Sequence, residues 1–415
     1  MVKRQSILRV ALIVVLAGST LLGRQQPPVA APPAGAAATP PQAPGRGGRG
    51  APPVRSPEVA ADGRVTFRLR AASAQSVAAA IGGKRLEMQK DEQGVWSVTT
   101  DPLTPDYYTY SLVIDGNSIN DPGNRTVQTG FGSAQSMVVV PGPQPWLPAP
   151  EKTVPHGTIA RHRFHSAIAD DDRDFFVYTP PGYDAHRARG YPVLYLLHGL
   201  GDDAERWMNG GGAPAIMDNL IAQGKAVPMV VVTTLGYGVS SGPAGEFGAI
   251  VSGYTKILLG EVMPTVEKSY NVSVNREDRA IAGLSMGGAE TLYTGLNNID
   301  KFAWMGSFSG AFVMWPGGAG GRGAPGGQAP AIDTSLFEKN FPALDAKINP
   351  KVRMLWIVCG TADGLIGVNR QFKTWLTSKG VQFTQDEIPD VGHVWPLWRQ
   401  NLVTFAGKVF QPKGK

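Results

Sequence analysis

A serine lies between two glycines in the stretch Gly283-Leu-Ser285-Met-Gly287, which follows the apolar residues Ala280-Ile-Ala282. A segment that can form a helix comes directly afterwards. A serine at such a strand–turn–helix junction is typical of a nucleophile elbow, in which the hydroxyl stands exposed above a sheet. The flanking glycines suit this turn because it leaves no room for Cβ atoms. The pattern predicts that Ser285 is the nucleophile of a serine hydrolase.

The same spacing occurs a second time, at Gly238-Val-Ser240-Ser-Gly242, and chance matches are expected in a chain with 52 glycines among 415 residues. Ser240 is followed by Gly242-Pro-Ala-Gly245, which cannot begin a helix. Ser285 is followed by Ala289–Leu296, which can. We therefore expect Ser240 to lie in a loop without chemistry.

A serine hydroxyl needs a base that accepts its proton, and the base needs a carboxylate that orients it. In α/β-hydrolases these residues follow in the order Ser, acid, His. Of the six histidines, only His393 follows Ser285, so His393 is the predicted base. Asp363 comes directly after the apolar segment Met354–Val358 and is the preferred acid. The alternatives that also precede His393 are Asp386, Glu387 and Asp390.

The tetrahedral intermediate of acyl transfer needs backbone N–H donors. One predicted donor is the amide of Met286, directly after the nucleophile. The other is expected in the loop His198-Gly-Leu-Gly201, which follows an apolar strand, and we assign it to the amide of Leu200. His198 is then structural and not a base. The His and acidic residues show no metal-ligand spacing, so no metal or cofactor is expected.

From about residue 172, apolar strands alternate with helical segments such as Lys256–Tyr270 and Gln371–Ser378. This alternation predicts a mostly parallel sheet with helices on both faces and an active site at the carboxyl ends of the strands. The Gly-rich tract Gly317–Gly327 interrupts the pattern and is expected to be a surface loop. Four aromatic residues near predicted strand ends are candidates for substrate stacking, although each could equally be a core or rim residue: Trp207, Tyr237, Trp315 and Trp395.

Short alternating segments with turn signals fill residues 58–142, for example Val65–Arg70 and Tyr108–Asp115. They predict a small antiparallel, immunoglobulin-like β-sandwich, with a hairpin turn at Asp115-Gly116. Residues 143–415 are assigned to the α/β domain. The single cysteine, Cys359, lies among apolar residues and is expected in the core.

The first 57 residues differ from the rest. Lys3, Arg4 and Arg9 flank the start of a short apolar run, which predicts a signal peptide over residues 1–23 and a secreted or periplasmic protein, with an uncleaved anchor as the alternative. Residues 24–57 are rich in Pro, Ala and Gly and are typical of a linker. Residues 1–55 contain seven basic and no acidic residues, so the formal charge of +6 leaves the remainder near −1. Nucleic-acid binding is therefore not indicated.

Four motifs occur in order between residues 150 and 412: Tyr195-Leu-Leu-His-Gly-Leu-Gly201, Arg279–Gly288, Cys359-Gly-Thr-Ala-Asp363 and Gly392-His393. Together they resemble the esterase D-type hydrolases, most closely the feruloyl and acetyl-xylan esterases of carbohydrate esterase family one. The resemblance implies an α/β-hydrolase fold and ester hydrolysis through an acyl-enzyme. It also supports Ser285, Asp363 and His393 in the roles given above.

The segment 58–141 resembles the early-set β-sandwich of glycogen-branching enzymes and isoamylases. This second resemblance favours a sugar ester as substrate, by analogy of fold. The expected activity is release of feruloyl or acetyl groups from a polysaccharide such as xylan. The alternative is hydrolysis of a siderophore or another small-molecule ester, because the family that the chain resembles also contains siderophore-ester hydrolases. The expected partner is therefore an ester-decorated polysaccharide or oligosaccharide, and oligomeric state cannot be read from the sequence.

Overall fold

The fold is that of a computed structural model, which describes residues 53–130, 133–149, 152–238, 247–318 and 333–411. They belong to one compact unit, Pro53–Lys415. The predicted signal peptide, nearly all of the predicted linker and Ser240 lie outside the described residues, as does most of the Gly317–Gly327 tract. No helix in the described part of the chain is long and apolar enough to cross a membrane.

The N-terminal region consists of antiparallel strands in two sheets. One sheet has the order β1-β2-β6-β5, and the other has the order β4-β3-β7-β10-β9 with β8 paired to β7. The strands are β1 (Glu58–Val59), β2 (Val65–Arg70), β3 (Val77–Ile81), β4 (Lys84–Glu87), β5 (Gln89–Lys90), β6 (Val95–Thr99), β7 (Asp106–Ile114), β8 (Asn117–Ile119), β9 (Val127–Gly130) and β10 (Ser133–Val140).

Alternate residues of these strands point inwards, as the period of two requires. Phe67 of β2, Trp96 of β6 and Tyr110 of β7 belong to one apolar cluster that draws on both sheets. The predicted turn at Asp115-Gly116 is confirmed. Both residues have positive φ, 46° and 87°, which is the conformation of the two-residue turns that join right-twisted strands.

The second region is built on an eight-stranded sheet with the order β11-β12-β14-β13-β15-β16-β17-β18. Its first two strands are antiparallel to their neighbours, and the six strands β13 to β18 are mutually parallel, as predicted. The strands are β11 (Thr158–Ser166), β12 (Asp171–Thr179), β13 (Val193–Leu197), β14 (Val230–Thr234), β15 (Arg279–Leu284), β16 (Trp304–Phe308), β17 (Met354–Gly360) and β18 (Thr384–Ile388).

Helices cover both faces of this sheet, and each face has its own apolar cluster. Central strands such as β13 are buried along their whole length, which explains why they read as unbroken apolar runs and not as alternating patterns. The helices are α1 (Ala213–Ala222), α2 (Phe247–Ile257), α3 (Met263–Ser269), α4 (Met286–Asn297), α5 (Ser335–Asn340), α6 (Ile366–Ser378) and α7 (Trp395–Lys408).

The helix predicted over Lys256–Tyr270 is interrupted in the structure. A π-helical turn, Leu258–Val262, connects α2 to α3, and Pro264 lies in the first turn of α3. Proline has no N–H and crowds the preceding turn, so an unbroken α-helix could not pass through this position at low cost. The wider turn absorbs the irregularity, and the helical segment begins earlier than predicted.

Candidate active site

Ser285 occupies a sharp turn between β15 and α4. Its φ of 54° is unusual for a residue with a side chain, and the turn is held because the Ser285 amide donates to the Phe308 carbonyl at 2.8 Å. A Cβ atom at Gly287 would lie 2.5 Å from the His198 carbonyl oxygen, and one at Gly283 would lie 2.5 Å from the Gly287 oxygen. The glycines are therefore required by close backbone approach, as the sequence pattern predicts.

The three residues predicted as nucleophile, base and acid lie together. His393 Nε2 is 3.0 Å from Ser285 Oγ, and His393 Nδ1 is 2.8 Å from Asp363 Oδ2. The carboxylate can only accept, so Nδ1 carries the proton and Nε2 is free to accept the serine proton. The arrangement can activate a hydroxyl for attack on a carbonyl carbon.

Each of these side chains lies at the carboxyl end of a strand. Ser285 follows β15, Asp363 follows β17, and His393 lies in the loop between β18 and α7. Burial of Asp363 raises its pKa, but the hydrogen bond and charge of His393 outweigh this, so the pKa lies below its ordinary value. The carboxylate also accepts from the Leu365 amide at 2.9 Å. Asp363 is therefore ionised while it orients the imidazole.

The three alternative acids are engaged elsewhere. Asp386 accepts from the indole N–H of Trp356 at 2.8 Å. Glu387 forms ion pairs with Arg370 and Lys373 on α6. Asp390 has a φ of 57° and occupies a turn. These contacts leave Asp363 as the carboxylate in contact with His393.

The two predicted oxyanion donors belong to the turn at the nucleophile and to the loop after β13. Met286 is the first residue of α4, so its amide has no acceptor within the helix. Leu200 lies in the loop after β13 and is 36% exposed. The Gly201 amide next to it donates to the Tyr237 hydroxyl at 2.7 Å.

His198 is buried and connects three segments around the nucleophile. Its Nδ1 is 2.8 Å from the Gly199 oxygen, its Nε2 is 2.8 Å from the Gly236 amide nitrogen, and its own carbonyl accepts from the Gly287 amide at 3.0 Å. Since a carbonyl only accepts and an amide N–H only donates, the ring is neutral and protonated at Nδ1. Burial lowers the pKa of His198 in agreement with this state.

The prediction of a substrate contact is wrong for two of the four aromatic residues, Trp207 and Trp315, because both are core residues. Trp207 and Trp315 are each 0% exposed. Their indole N–H groups donate to the carbonyls of Leu197 and Ala289, both at 2.9 Å. A position near a strand end does not determine which way a side chain points, and these two point into the apolar clusters.

The other two aromatic residues lie closer to the site. Tyr237 is 5% exposed, and its hydroxyl holds the loop that contains Leu200. Trp395 is half-buried, two residues after His393. The guanidinium carbon of Arg206 lies 4.2 Å from the centre of the Trp395 ring, and that of Arg399 lies 5.6 Å from it. Whether either ring contacts substrate stays a prediction.

Sequence reasoning missed the buried polar cluster beside Trp395. Arg399 forms an ion pair with Asp106 of β7 at 2.7 Å and lies 5.0 Å from the ring centre of Tyr107. Arg206 is 6% exposed, and its Nη1 has no hydrogen-bond partner among the described residues. The sequence gives no signal for this cluster, because its members come from three distant segments. Among the described residues, no group of three or more His, Cys, Asp or Glu side chains could hold a metal ion.

Comparison with known proteins defines the class. Residues 166–408 match the family model Esterase, described as "Putative esterase". This match covers more than half of the chain, so the chain belongs to this esterase family. The chain has an α/β-hydrolase-like fold, as its solved structural neighbours do.

Individual similar proteins carry more specific names than the family does. The chain is 37% identical over 370 residues to an endo-1,4-beta-xylanase/feruloyl esterase of Xylanibacter ruminicola, covering 86% of this chain and 46% of that protein. This chain thus spans less than half of that relative's length. A solved ferulic acid esterase has a TM-score of 0.50 at 26% identity, covering 61% of this chain and 97% of its own.

An enterobactin esterase from Shigella flexneri is also similar in structure. It has a TM-score of 0.55 at 20% identity, and the match covers 84% of this chain and 93% of that chain. At this level of identity the likeness shows the fold alone.

Proposed function

We propose that this esterase is a serine carboxylic-ester hydrolase that releases feruloyl, or acetyl, groups from plant cell-wall polysaccharide such as xylan. The observation that carries the proposal is the pair of hydrogen bonds from Asp363 through His393 to Ser285. The 37% identity to a xylanase/feruloyl esterase over 86% of this chain supports the substrate class.

In the proposed reaction, Ser285 Oγ attacks the ester carbonyl carbon and His393 Nε2 takes the serine proton. The carbonyl oxygen becomes an oxyanion that accepts from the amides of Met286 and Leu200. His393 then gives its proton to the leaving sugar oxygen as the C–O bond breaks. Water attacks the acyl-enzyme with His393 as base, and the free acid and Ser285 are released. Asp363 stabilises the imidazolium both when the acyl-enzyme forms and when water hydrolyses it.

The first test is the variant Ser285→Ala, with kcat measured on methyl ferulate and on an aryl acetate. Loss of the nucleophile is expected to lower kcat by about six orders of magnitude, as in other serine hydrolases. The matched control is Ser252→Ala, since Ser252 is a serine of α2 whose hydroxyl only caps the Gly248 carbonyl. Turnover that survives in pure Ser285→Ala would refute Ser285 as the nucleophile.

The acyl group is decided by comparing kcat/KM on methyl ferulate with that on an acetylated xylo-oligosaccharide. Preference for ferulate would indicate an aromatic acyl pocket and a feruloyl esterase. Preference for the acetylated sugar would indicate a small acyl pocket, with recognition through the carbohydrate.

A second candidate function is hydrolysis of a siderophore or another small-molecule ester. Enterobactin esterase shares the fold over 84% of this chain, beyond the residues 166–408 of the family match, so the same fold also occurs in an enzyme with that kind of substrate. A cyclic catecholate triester cleaved much faster than methyl ferulate would support it.

The proposal extends to the organisation of the chain. Residues 1–23 are a signal peptide, residues 24–57 are a linker, residues 58–142 are an early-set β-sandwich, and residues 143–415 are the catalytic domain of a secreted or periplasmic enzyme. Expression of the full chain in a bacterial host tests this. The N-terminal sequence of the exported protein should begin after residue 23, and retention of the whole chain in the membrane would favour the anchor.

A further inference from the structure

A cavity of about 790 Å³ is lined jointly by the N-terminal sheet and by the segment that follows His393. Val394 and Pro396 contribute from that segment, and Val394 is bonded directly to His393. Strands β3, β7 and β10 contribute the opposite wall. A cavity of this size is in the range of sites that hold ligands of several rings.

The proposed reaction determines which part of a substrate would lie here. The carbonyl oxygen of the ester must face the amides of Met286 and Leu200. The leaving oxygen must face His393 Nε2, which protonates it. The alcohol half of the ester therefore leaves on the side of His393, and a cavity that begins at Val394 is positioned for the alcohol half and not for the acyl half.

The wall of the cavity suits a polyhydroxylated ligand. Thr109 and Ser111 on β7 and Gln135 on β10 supply two hydroxyls and an amide, and Ala80 on β3 leaves space above the sheet. Groups that both donate and accept hydrogen bonds match sugar hydroxyls, which do the same.

The rim of the cavity is cationic. Lys84 and Arg85 begin β4, and the described residues that line the cavity include no Asp or Glu. Arg85 forms an ion pair with Glu87, with Nε 2.7 Å from Oε1. Lys84 is exposed and forms no ion pair within the described part of the chain. Unbalanced positive charge beside sugar-binding groups favours a sugar that carries a carboxylate.

We propose that this cavity is the leaving-group subsite, and that it binds the uronate-bearing stretch of the polysaccharide chain whose ester is cleaved, with Lys84 contacting the uronate carboxylate. This inference rests on the proposed function. It makes the N-terminal region part of the substrate site for the carbohydrate, whereas the small esters used in routine assays would not reach it.

The test compares Lys84→Gln with the parent enzyme on two feruloylated xylo-oligosaccharides that differ only in one glucuronate side group. The specificity ratio, kcat/KM on the acidic substrate divided by kcat/KM on the neutral one, should fall about fivefold in the variant. The drop should shrink in high salt, because a rim charge is screened. The matched control is Lys347→Gln, an exposed lysine (91%) that does not line the cavity, and it should leave the ratio unchanged.

A second variant tests the wall of the cavity and leaves the charge of Lys84 unchanged. Ser111→Trp should fill the space above β7 and lower kcat/KM on both oligosaccharides about tenfold or more relative to methyl ferulate. Equal specificity ratios for the parent enzyme and Lys84→Gln, together with unchanged oligosaccharide turnover in Ser111→Trp, would overturn the proposed subsite.

A binding measurement separates this inference from the proposed function. Calorimetry with Ser285→Ala and an ester-free glucuronate-bearing xylo-oligosaccharide should give binding that Lys84→Gln weakens. Such binding without hydrolysis of any ester would refute the activity and support the cavity. Hydrolysis of methyl ferulate without such binding would support the activity and refute the proposed subsite. A catecholate triester that Lys84→Gln cleaves several-fold more slowly, with both oligosaccharides unaffected, would overturn the carbohydrate assignment in favour of the siderophore.

Discussion

Arg399 of α7 and Asp106 of β7 are 293 positions apart in the chain, yet Nη1 of one lies 2.7 Å from Oδ1 of the other. The Arg399 side chain is 3% exposed and that of Asp106 is 16% exposed. Nη2 of the same guanidinium donates to the Gly210 carbonyl at 2.7 Å. The ion pair therefore connects the N-terminal sheet to the helix that begins two residues after His393.

Removing the charge of Asp106 is expected to destabilise the protein strongly. In Asp106→Asn the buried Arg399 guanidinium loses its counter-charge, and breaking a buried pair in this way costs about 3 kcal/mol or more. The measurement is the free energy of unfolding in urea. The control is Asp62→Asn, which breaks the exposed Asp62–Arg64 pair (58% and 49% exposed) and should cost less than about 1 kcal/mol. Equal small losses in both variants would contradict the prediction.

The contrast between Ser285 and Arg399 shows what could be predicted from the sequence. The turn at Ser285 is local, since its glycines and its flanking strand and helix are contiguous, and the order of residues along the chain then indicated His393 and Asp363. The pair between Arg399 and Asp106 is long-range and polar, and no local pattern marks either residue as buried.

Other differences have physical causes as well. Proximity to predicted strand ends suggests a substrate contact for Trp207 and Trp315, but sequence proximity does not give side-chain direction, and both rings are buried. The alternation of strands and helices predicts a continuous helix over Lys256–Tyr270, but the structure interrupts it with a π-helical turn ahead of Pro264.

Gly287→Ala is expected to damage the site through the backbone. The new Cβ would lie 2.5 Å from the His198 carbonyl oxygen and 2.7 Å from that of Leu197, so the elbow must separate from the loop that carries Leu200. We expect kcat on methyl ferulate to fall about a hundredfold, the typical cost of a lost oxyanion donor. Thermal unfolding should shift to lower temperature in parallel.

The matched control for this change is Gly407→Ala in α7. There the new Cβ would meet its nearest neighbour, the Lys225 oxygen, at 3.6 Å, an ordinary contact. Because alanine is the better helix former, this variant should gain about 0.5 to 1 kcal/mol in unfolding free energy. Comparable activity in Gly287→Ala and Gly407→Ala would argue against the close approach at the elbow.

Glu290 gives a pH dependence of stability. Its side chain is 0% exposed, and neither carboxylate oxygen has a hydrogen-bond partner among the described residues. Burial raises the pKa of Glu290 well above its ordinary value of 4.5. The stability that the protonated form provides is therefore fully present below pH 4.5 and is lost as the pH rises towards the pKa of the folded state.

The variant Glu290→Gln removes this titration. The free energy of unfolding of the parent protein should decrease relative to that of the variant between pH 5 and pH 8, by about 1 kcal/mol or more. Glu338→Gln is the control, because that carboxylate is a surface residue with 49% side-chain exposure. Parallel stability curves for the parent and Glu290→Gln would mean that Glu290 titrates as it does in the unfolded chain.

His198→Leu should reduce turnover more than substrate binding. The change removes the acceptor of the Gly236 N–H and leaves that group buried and unpaired, which costs about 1 to 3 kcal/mol, and it frees the loop that carries Leu200. We expect kcat on methyl ferulate to fall tenfold to a hundredfold with little change in KM, since the oxyanion donors act in the transition state. The conservative variant His198→Gln keeps an acceptor near the position of Nε2 and should recover much of kcat. A purely structural role would lower the stability of His198→Leu while the folded fraction kept its full kcat, and separate measurements of kcat, KM and folded fraction distinguish the two cases.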